Sequence, residues 1–254
     1  YKKERGREML IYDIHSHLGK TSSGDENTPQ ELVNDLAAYG ISRVGISSLS
    51  GISMRDQNDL VHRAMEAYPG VIKGYGFINP KAGDAIDEVN RCLGDYHMDG
   101  IKFHSWKHGY YPDNTPALKD IFAEIEKYGK HVQMHVGTAP FSTPYTWVEY
   151  AKMFPKIDFL FTHIGYYEFG MSTIEAVRNV KNVWVETSGQ MDVEVLQKAI
   201  DVLGPERVCF GTDWPYKPVN IEVEKFYEMK VPEDKLEYIF HKNAAHLWRM
   251  EEEK

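Results

Sequence analysis

The chain has 254 residues, 42% hydrophobic and 26% charged, with a formal charge of −9 at pH 7, a composition ordinary for a soluble protein with one large core. The negative balance excludes non-specific binding to nucleic acid or to an acidic membrane surface, since both need a basic face. No apolar stretch approaches a membrane span, and the two cysteines, Cys92 and Cys209, form no zinc ribbon or disulfide framework, so a reducing cytoplasm is the expected compartment.

Residues 1–8 are charged and read as a surface extension, with the patterned fold expected over 9–254. A first buried strand is predicted at 10–17. Thr28-Pro29-Gln30-Glu31 then forms a capping box with Pro at the first helical position, and Gly40 stands where a helix-ending glycine belongs. A strand at 43–48 follows, then an amphipathic helix over 58–68 stopped by Pro69-Gly70. Strands at 71–79 and 100–105 precede a helix opened by Thr115-Pro116, whose stripe is Leu118, Ile121, Phe122 and Ile125.

Strands at 131–137, 158–165, 182–189 and 207–214 alternate with helices at 145–154, 172–180, 193–203 and 221–229. A last helix is expected at 232–248, and Glu251-Glu252-Glu253 reads as a solvated end. Strand starts lie about 24 to 33 residues apart, the spacing of βαβ units. Eight equal units with no composition break predict an α/β fold closed into a single-domain (β/α)8 TIM barrel. Parity in the last strand puts Cys209, Gly211 and Asp213 on the inner face and Val208 and Phe210 toward the helices.

The first strand ends in Asp13-Ile14-His15-Ser16-His17. Alternate side chains of a strand share a face, so His15 and His17 point the same way and two imidazoles can meet one metal ion. Active sites of such barrels form at the C-terminal ends of the strands. The last inward residues there are His15, His17, Lys102, His104, His135, His163 and Asp213, which gathers five of the 11 histidines. Three imidazoles and a carboxylate suit one catalytic ion with room for a water, whose pKa the ion would lower.

Each residue also has a structural reading. The histidines could be hydrogen-bonded core residues, Asp213 could cap the turn before Trp214-Pro215, and Lys102 could be a buried partner of Asp213. His104 stays open between a donor behind the ligands, a substrate contact and a wall. Trp106, Tyr166, Tyr167 and Trp214 stand as pocket walls or packing residues.

The motifs Asp-Ile-His-Ser-His-Leu-Gly (13–19), Gly-Ile-Lys-Phe-His (100–104), Gln-Met-His-Val-Gly (133–137), Thr-His-Ile-Gly (162–165) and Gly-Thr-Asp-Trp-Pro (211–215) together resemble the amidohydrolase superfamily. The match is to its amidohydrolase-related branch of metal-dependent hydrolases and aminocarboxymuconate-semialdehyde-type decarboxylases. The resemblance implies His15 and His17 as first-strand ligands, His135 as the fifth-strand ligand and Asp213 as the eighth-strand carboxylate. His163 corresponds to the sixth-strand histidine, which acts on the metal-bound water or is itself a ligand. Lys102 lies where binuclear relatives carry a carbamylated lysine, but its sequence context is that of small mononuclear members, so one divalent ion is expected. Zinc is the first expectation and manganese the second. A homodimer is implied by the resemblance alone.

The leading expectation is a metal-dependent hydrolase of a small amide, ester or lactone, in which His163 orients the water and Asp213 shuttles the proton. The alternative is a metal-dependent non-oxidative decarboxylase of a small unsaturated or aromatic carboxylic acid. That reaction needs a cation for the substrate's carboxylate, for which Arg55, in the loop after the second strand, is the best-sited arginine. Lys102 and His104 are the other substrate-binding candidates, with Lys20, Lys107 and Lys217 as further point charges. The short βα loops tilt the reading to hydrolysis. A metal-free binding barrel is disfavoured by the full ligand set.

Overall fold

The computed structural model describes residues 9–21, 23–48 and 53–250. The predicted extension at 1–8 and the acidic residues Glu251, Glu252 and Glu253 lie outside the described residues. Eight parallel strands form one sheet in chain order: β1 (Ile11–His17), β2 (Ile41–Ser47), β3 (Ile72–Phe77), β4 (Gly100–Phe103), β5 (His131–Met134), β6 (Phe159–Phe161), β7 (Val183–Glu186) and β8 (Val208–Cys209).

The last strand meets the first. Ile14 N donates to Phe210 O at 3.1 Å, Asp213 N to His15 O at 2.7 Å and His17 N to Trp214 O at 2.8 Å, and Ser16 pairs in parallel with Trp214. These bonds close the sheet, as the alternating pattern predicts for a TIM barrel.

The first helix begins as its sequence dictates. Glu31 N donates to Thr28 Oγ1 at 3.2 Å, and Thr28 N donates to Glu31 Oε2 at 2.8 Å, so two orphan donors are satisfied reciprocally. The chain turns back at Gly40, whose φ of 79° is one that glycine adopts without strain.

Two apolar layers result. Val208 and Phe210 pack outward among the helices. Cys209 packs inward with Ile14, Tyr75, Leu160 and Trp184, where the C-terminal helix Asn243–Leu247 and Trp248 join them. Tyr75 fills the interior opposite Gly45, where a Cβ would lie 2.1 Å from the tyrosine oxygen. Trp248 Nε1 donates to Tyr75 Oη at 2.7 Å, and Tyr75 Oη donates to Ile14 O at 3.0 Å. The terminal helix is thus bolted through the floor of the barrel to its first strand.

The strands are shorter than the apolar runs suggest. β5 stops at Met134 rather than 137, β6 at Phe161 rather than 165 and β8 at Cys209 rather than 214. A run of buried residues reads as strand whether or not its backbone stays in the ladder, and here Thr162–Gly165 is a tight 3-10 turn. Strict face alternation therefore cannot be carried to Asp213, whose φ is 55°. The helix predicted at 172–180 begins earlier, at Tyr166. The helical stretch Ala85–Asn90, continued by Arg91–Asp95, was not read from the sequence. Its buried Ala85, Val89, Cys92 and Leu93 carried the periodicity. Among the described residues no helix is long and apolar enough to cross a membrane.

Candidate metal centre

β1 is irregular where it matters. Its ladder with β2 slips between Asp13 and Ser16, and the freed Ile14 carbonyl turns inward to accept from Tyr75 Oη and from Gln133 Nε2, each at 3.0 Å. The Asp13 carboxylate stitches the slip together, accepting from His15 N at 2.9 Å, Ser16 Oγ at 2.6 Å, Thr212 N at 3.0 Å and the Thr212 hydroxyl. Burial pushes the Asp13 carboxyl up to about 6 against these four donors. His15 and His17 lie on one side, with ring centroids 4.9 Å apart.

The other chemistry-bearing residues lie just past the strand ends. His163 has φ 65° and Asp213 φ 55°, a backbone region uncommon for residues with a side chain. Asp213 Oδ1 is 3.1 Å from His17 Nε2 and 3.8 Å from His15 Nε2. One donor atom each from His15, His163 and Asp213 lies within 4.8 Å of the others, and all three residues are buried.

Each of these imidazoles is anchored from behind. His15 Nδ1 meets Glu186 Oε2 at 2.8 Å, His17 Nδ1 meets Ser47 O at 3.3 Å, and His163 Nδ1 meets Ser188 O at 3.0 Å. A carbonyl or carboxylate only accepts, so Nδ1 carries the proton in His15 and His163, whereas His17 faces an acceptor at each nitrogen, with Asp213 Oδ1 3.1 Å from its Nε2. Burial, reinforced by neighbouring cationic groups, holds His15, His135, His104 and His163 well below the usual imidazole range. His17 is also lowered by burial, with Asp213 opposing it. Neutral rings gathered beside a carboxylate are the donor set a divalent cation requires, so the residues fit such an ion.

Lys102 is fully buried, and its ammonium donates to Gln133 Oε1 at 2.9 Å and to His15 Nε2 at 3.0 Å. Burial pushes it down to about 7, opposed by Asp213 and Glu186. No ion pair within 4.0 Å joins it to Asp213 among the described residues, contrary to one structural reading of the sequence.

His135 stands differently from the expected ligand set. Its Nε2 faces Thr138 Oγ1 at 2.8 Å, and its ring stacks on His104 at 3.8 Å and 14°. The ring remains 5.0 Å from that of His163, so it borders the centre. His104 is itself tied down, accepting from Lys107 N at 3.3 Å at the start of helix Ser105–His108. Tyr166 stacks on His163 at 4.1 Å, whereas Tyr167 and Trp106 are exposed and Trp214 Nε1 bonds to Asp35.

Arg55 is turned to other work. Its Nε lies 3.9 Å from Asp84 and 3.8 Å from Glu88, and no contact joins it to the histidines among the described residues. Partners some 30 residues downstream could not be read from a loop position. Glu186 at the end of β7, Ser188 just after it, and Gln133 in β5, though part of a quoted motif, had no expected role. Glu186 is fully buried and accepts from Ser188 N and Oγ and from His163 N, the last at 3.2 Å. A glutamate closing an apolar strand, in Val183-Trp184-Val185-Glu186, was the available signal.

Comparison with known proteins agrees with this architecture. The family model described as amidohydrolase matches residues 21–250. Over 71 residues, 28% of the chain, the sequence is 35% identical to gamma-resorcylate decarboxylase of Rhodococcus jostii (strain RHA1), and this match spans 22% of that relative's length.

Among solved structures, 5-carboxyvanillate decarboxylase from Sphingomonas paucimobilis superposes with a TM-score of 0.77 at 19% identity, over 96% of this chain and 100% of that one. A dihydroxybenzoic acid decarboxylase from Polaromonas sp. JS666, with bound manganese and the inhibitor 2-nitroresorcinol, gives 0.78 at 15% identity over 95% and 97%. A Pseudomonas putida protein assigned as a 2-pyrone-4,6-dicarboxylic acid hydrolase gives 0.78 at 16% over 96% and 99%. At these identities the likeness establishes the fold. With the family model spanning nearly the whole barrel and the motifs at the strand ends, the chain belongs to the amidohydrolase superfamily of enzymes, in its amidohydrolase-related branch.

Proposed function

We propose that this enzyme is a metal-dependent non-oxidative decarboxylase of a small aromatic or unsaturated carboxylic acid. The observation that carries the reading is the 35% identity over 71 residues with gamma-resorcylate decarboxylase, a sequence match where the hydrolase neighbour offers likeness of fold alone. This reverses the balance expected from the sequence. Short βα loops and a single well-sited arginine, Arg55, weighed for hydrolysis, but a buried lysine can supply the cation instead.

His15, His17 and Asp213 are the residues we assign to hold one divalent ion, with His163 or His135 completing the set; manganese and zinc both suit such donors. When bound, the ion would supply Lewis-acid polarisation of the substrate's oxygens. Lys102 supplies positive charge for a carboxylate in a site from which water is largely excluded, where charge interactions are strong. His104 and His135, stacked, form a flat wall for a planar substrate, and Tyr166 lies against His163 on another side.

In the reaction the bond between the ring carbon and its carboxyl group breaks, and the electron pair stays on the carbon. That carbon then takes a proton as carbon dioxide leaves. Asp213 is the group we assign to relay the proton, taking it from solvent and returning to the carboxylate once the carbon is protonated, a general-acid role for a carboxyl group within reach of the reacting atoms. The second reading, water-driven opening of a small lactone, rests on the fold shared with the 2-pyrone-4,6-dicarboxylic acid hydrolase and would use Asp213 and His163 on the water.

The test is direct. The protein loaded with manganese or zinc is offered hydroxylated benzoates, carboxyvanillate-type acids and pyrone carboxylates, with carbon dioxide and ring-opened acid measured separately. Metal-dependent release of carbon dioxide from an aromatic acid is expected. Consumption of the lactones alone, with no carbon dioxide, would overturn the proposal in favour of hydrolysis.

A further inference from the structure

Glu186 lies behind the centre rather than in it, and its contacts have one direction. Oε2 meets His15 Nδ1 at 2.8 Å, His163 N at 3.2 Å and Ser188 Oγ at 2.9 Å, and Oε1 meets Ser188 N. Backbone amides only donate, so each oxygen accepts, and the bonds from Ser188 and His163 oppose the burial that raises this carboxyl to about 8. Ser188 in turn receives His163 Nδ1 through its carbonyl and its hydroxyl, each at 3.0 Å.

Glu186 faces His15 Nδ1, and Lys102 Nζ lies 3.0 Å from Nε2 on the other side of the ring. The fold makes room for this carboxylate: at Gly211 a Cβ would lie 2.6 Å from Glu186 Oε1 and 3.0 Å from His15 Cβ.

We infer that Glu186 is a positioning residue for the metal centre, holding His15 directly and His163 through its main chain and through Ser188, so that both rings turn Nε2 toward the centre. The inference rests on the metal-dependent reading but not on the reaction chosen for it. Carboxylates behind ligating histidines fix ring orientation and raise basicity, and their loss weakens metal binding about 10–100-fold. One carboxylate serving two rings from different strands makes Glu186 a single point of control over ligand geometry.

The experiment uses the full chain freed of metal. Manganese and zinc affinities are measured by competition with a fluorescent chelator, and imidazole tautomers by nitrogen–proton correlation spectroscopy, for the wild type, Glu186→Leu and Glu186→Gln. Glu186→Leu is expected to weaken both ions about 10–100-fold and to release His15 from the Nδ1-protonated form. Glu186→Gln keeps a neutral acceptor, so it should retain the tautomer, lose less affinity and shift the His15 Nδ1 proton upfield as a charge-assisted bond becomes a neutral one.

Wild-type affinity with an unchanged tautomer in Glu186→Leu overturns the inference. Should that variant fail to fold, an unmoved His15 Nδ1 proton in Glu186→Gln overturns it equally. Neither readout depends on turnover, so a failed substrate screen and a failed role for Glu186 are separate results.

Discussion

Gly211 shows how closely single residues are matched around this centre. With a Cβ there 2.6 Å from Glu186 Oε1 and 3.0 Å from His15 Cβ, Gly211→Ala must move one or both. The fold should survive while metal affinity falls about tenfold or more, which equilibrium dialysis would measure. Asp213→Asn should lower turnover about 10²–10⁴-fold with unchanged circular dichroism; full activity in that variant would refute its assigned role. His15, His17, His163 and Asp213 were legible because imidazoles and a carboxylate recurred at successive strand ends. Glu186 was not, since a lone glutamate after three apolar residues reads as a strand reaching solvent. The surroundings of Arg55 were not legible, because its acidic partners, Asp84 and Glu88, sit on an element that chain order does not bring beside it.

At the scale of elements, alternation of strand and helix was visible because buried parallel strands are continuous apolar runs and the helices between them are striped. Where strands stop was not visible. His163 and Asp213 leave the ladder in left-handed conformations, and nothing in an apolar run marks the residue at which φ changes sign.

The closing helix makes its own prediction. Trp248 is 2% exposed and hydrogen-bonded to Tyr75, so Trp248→Ala should cost about 3–5 kcal/mol of stability, read by chemical denaturation. A second prediction concerns His131 at the start of β5, buried and donating Nδ1 to Leu247 O at 3.1 Å in that helix. Burial pushes its pKa from 6.5 down to about 3. The unfolded chain therefore binds the extra proton between those values, and stability contributed by the neutral ring is lost as pH falls from 6.5 toward 3. Replacement of His131 by Gln should flatten that acid limb in pH-dependent melting curves; an unaltered limb would assign acid sensitivity elsewhere.

For the whole molecule, a cation bound only by the folded state raises stability by mass action, about 2.7 kcal/mol at a hundredfold excess over Kd. Chelation should therefore lower Tm, and manganese or zinc should restore it, in calorimetry at fixed protein concentration. The charge of −9 makes the surface repel polyanions at large, leaving local groups such as Lys102 to attract an anionic substrate.

The cylinder is sealed where β1 meets the segment after β8, through Ile14 N to Phe210 O, Asp213 N to His15 O and His17 N to Trp214 O. That join and the proposed ligands His15, His17 and Asp213 occupy the same few residues. An ion gripped from both sides would fasten together positions about 200 residues apart in the chain, offsetting much of the entropy lost in bringing them together. It would be a clasp on the hoop as well as a reagent. Stripping it should quicken hydrogen exchange at the amides of Ile14, His17 and Asp213 while those of β4 and β5 stay protected; uniform quickening would mean the hoop stays shut without its clasp.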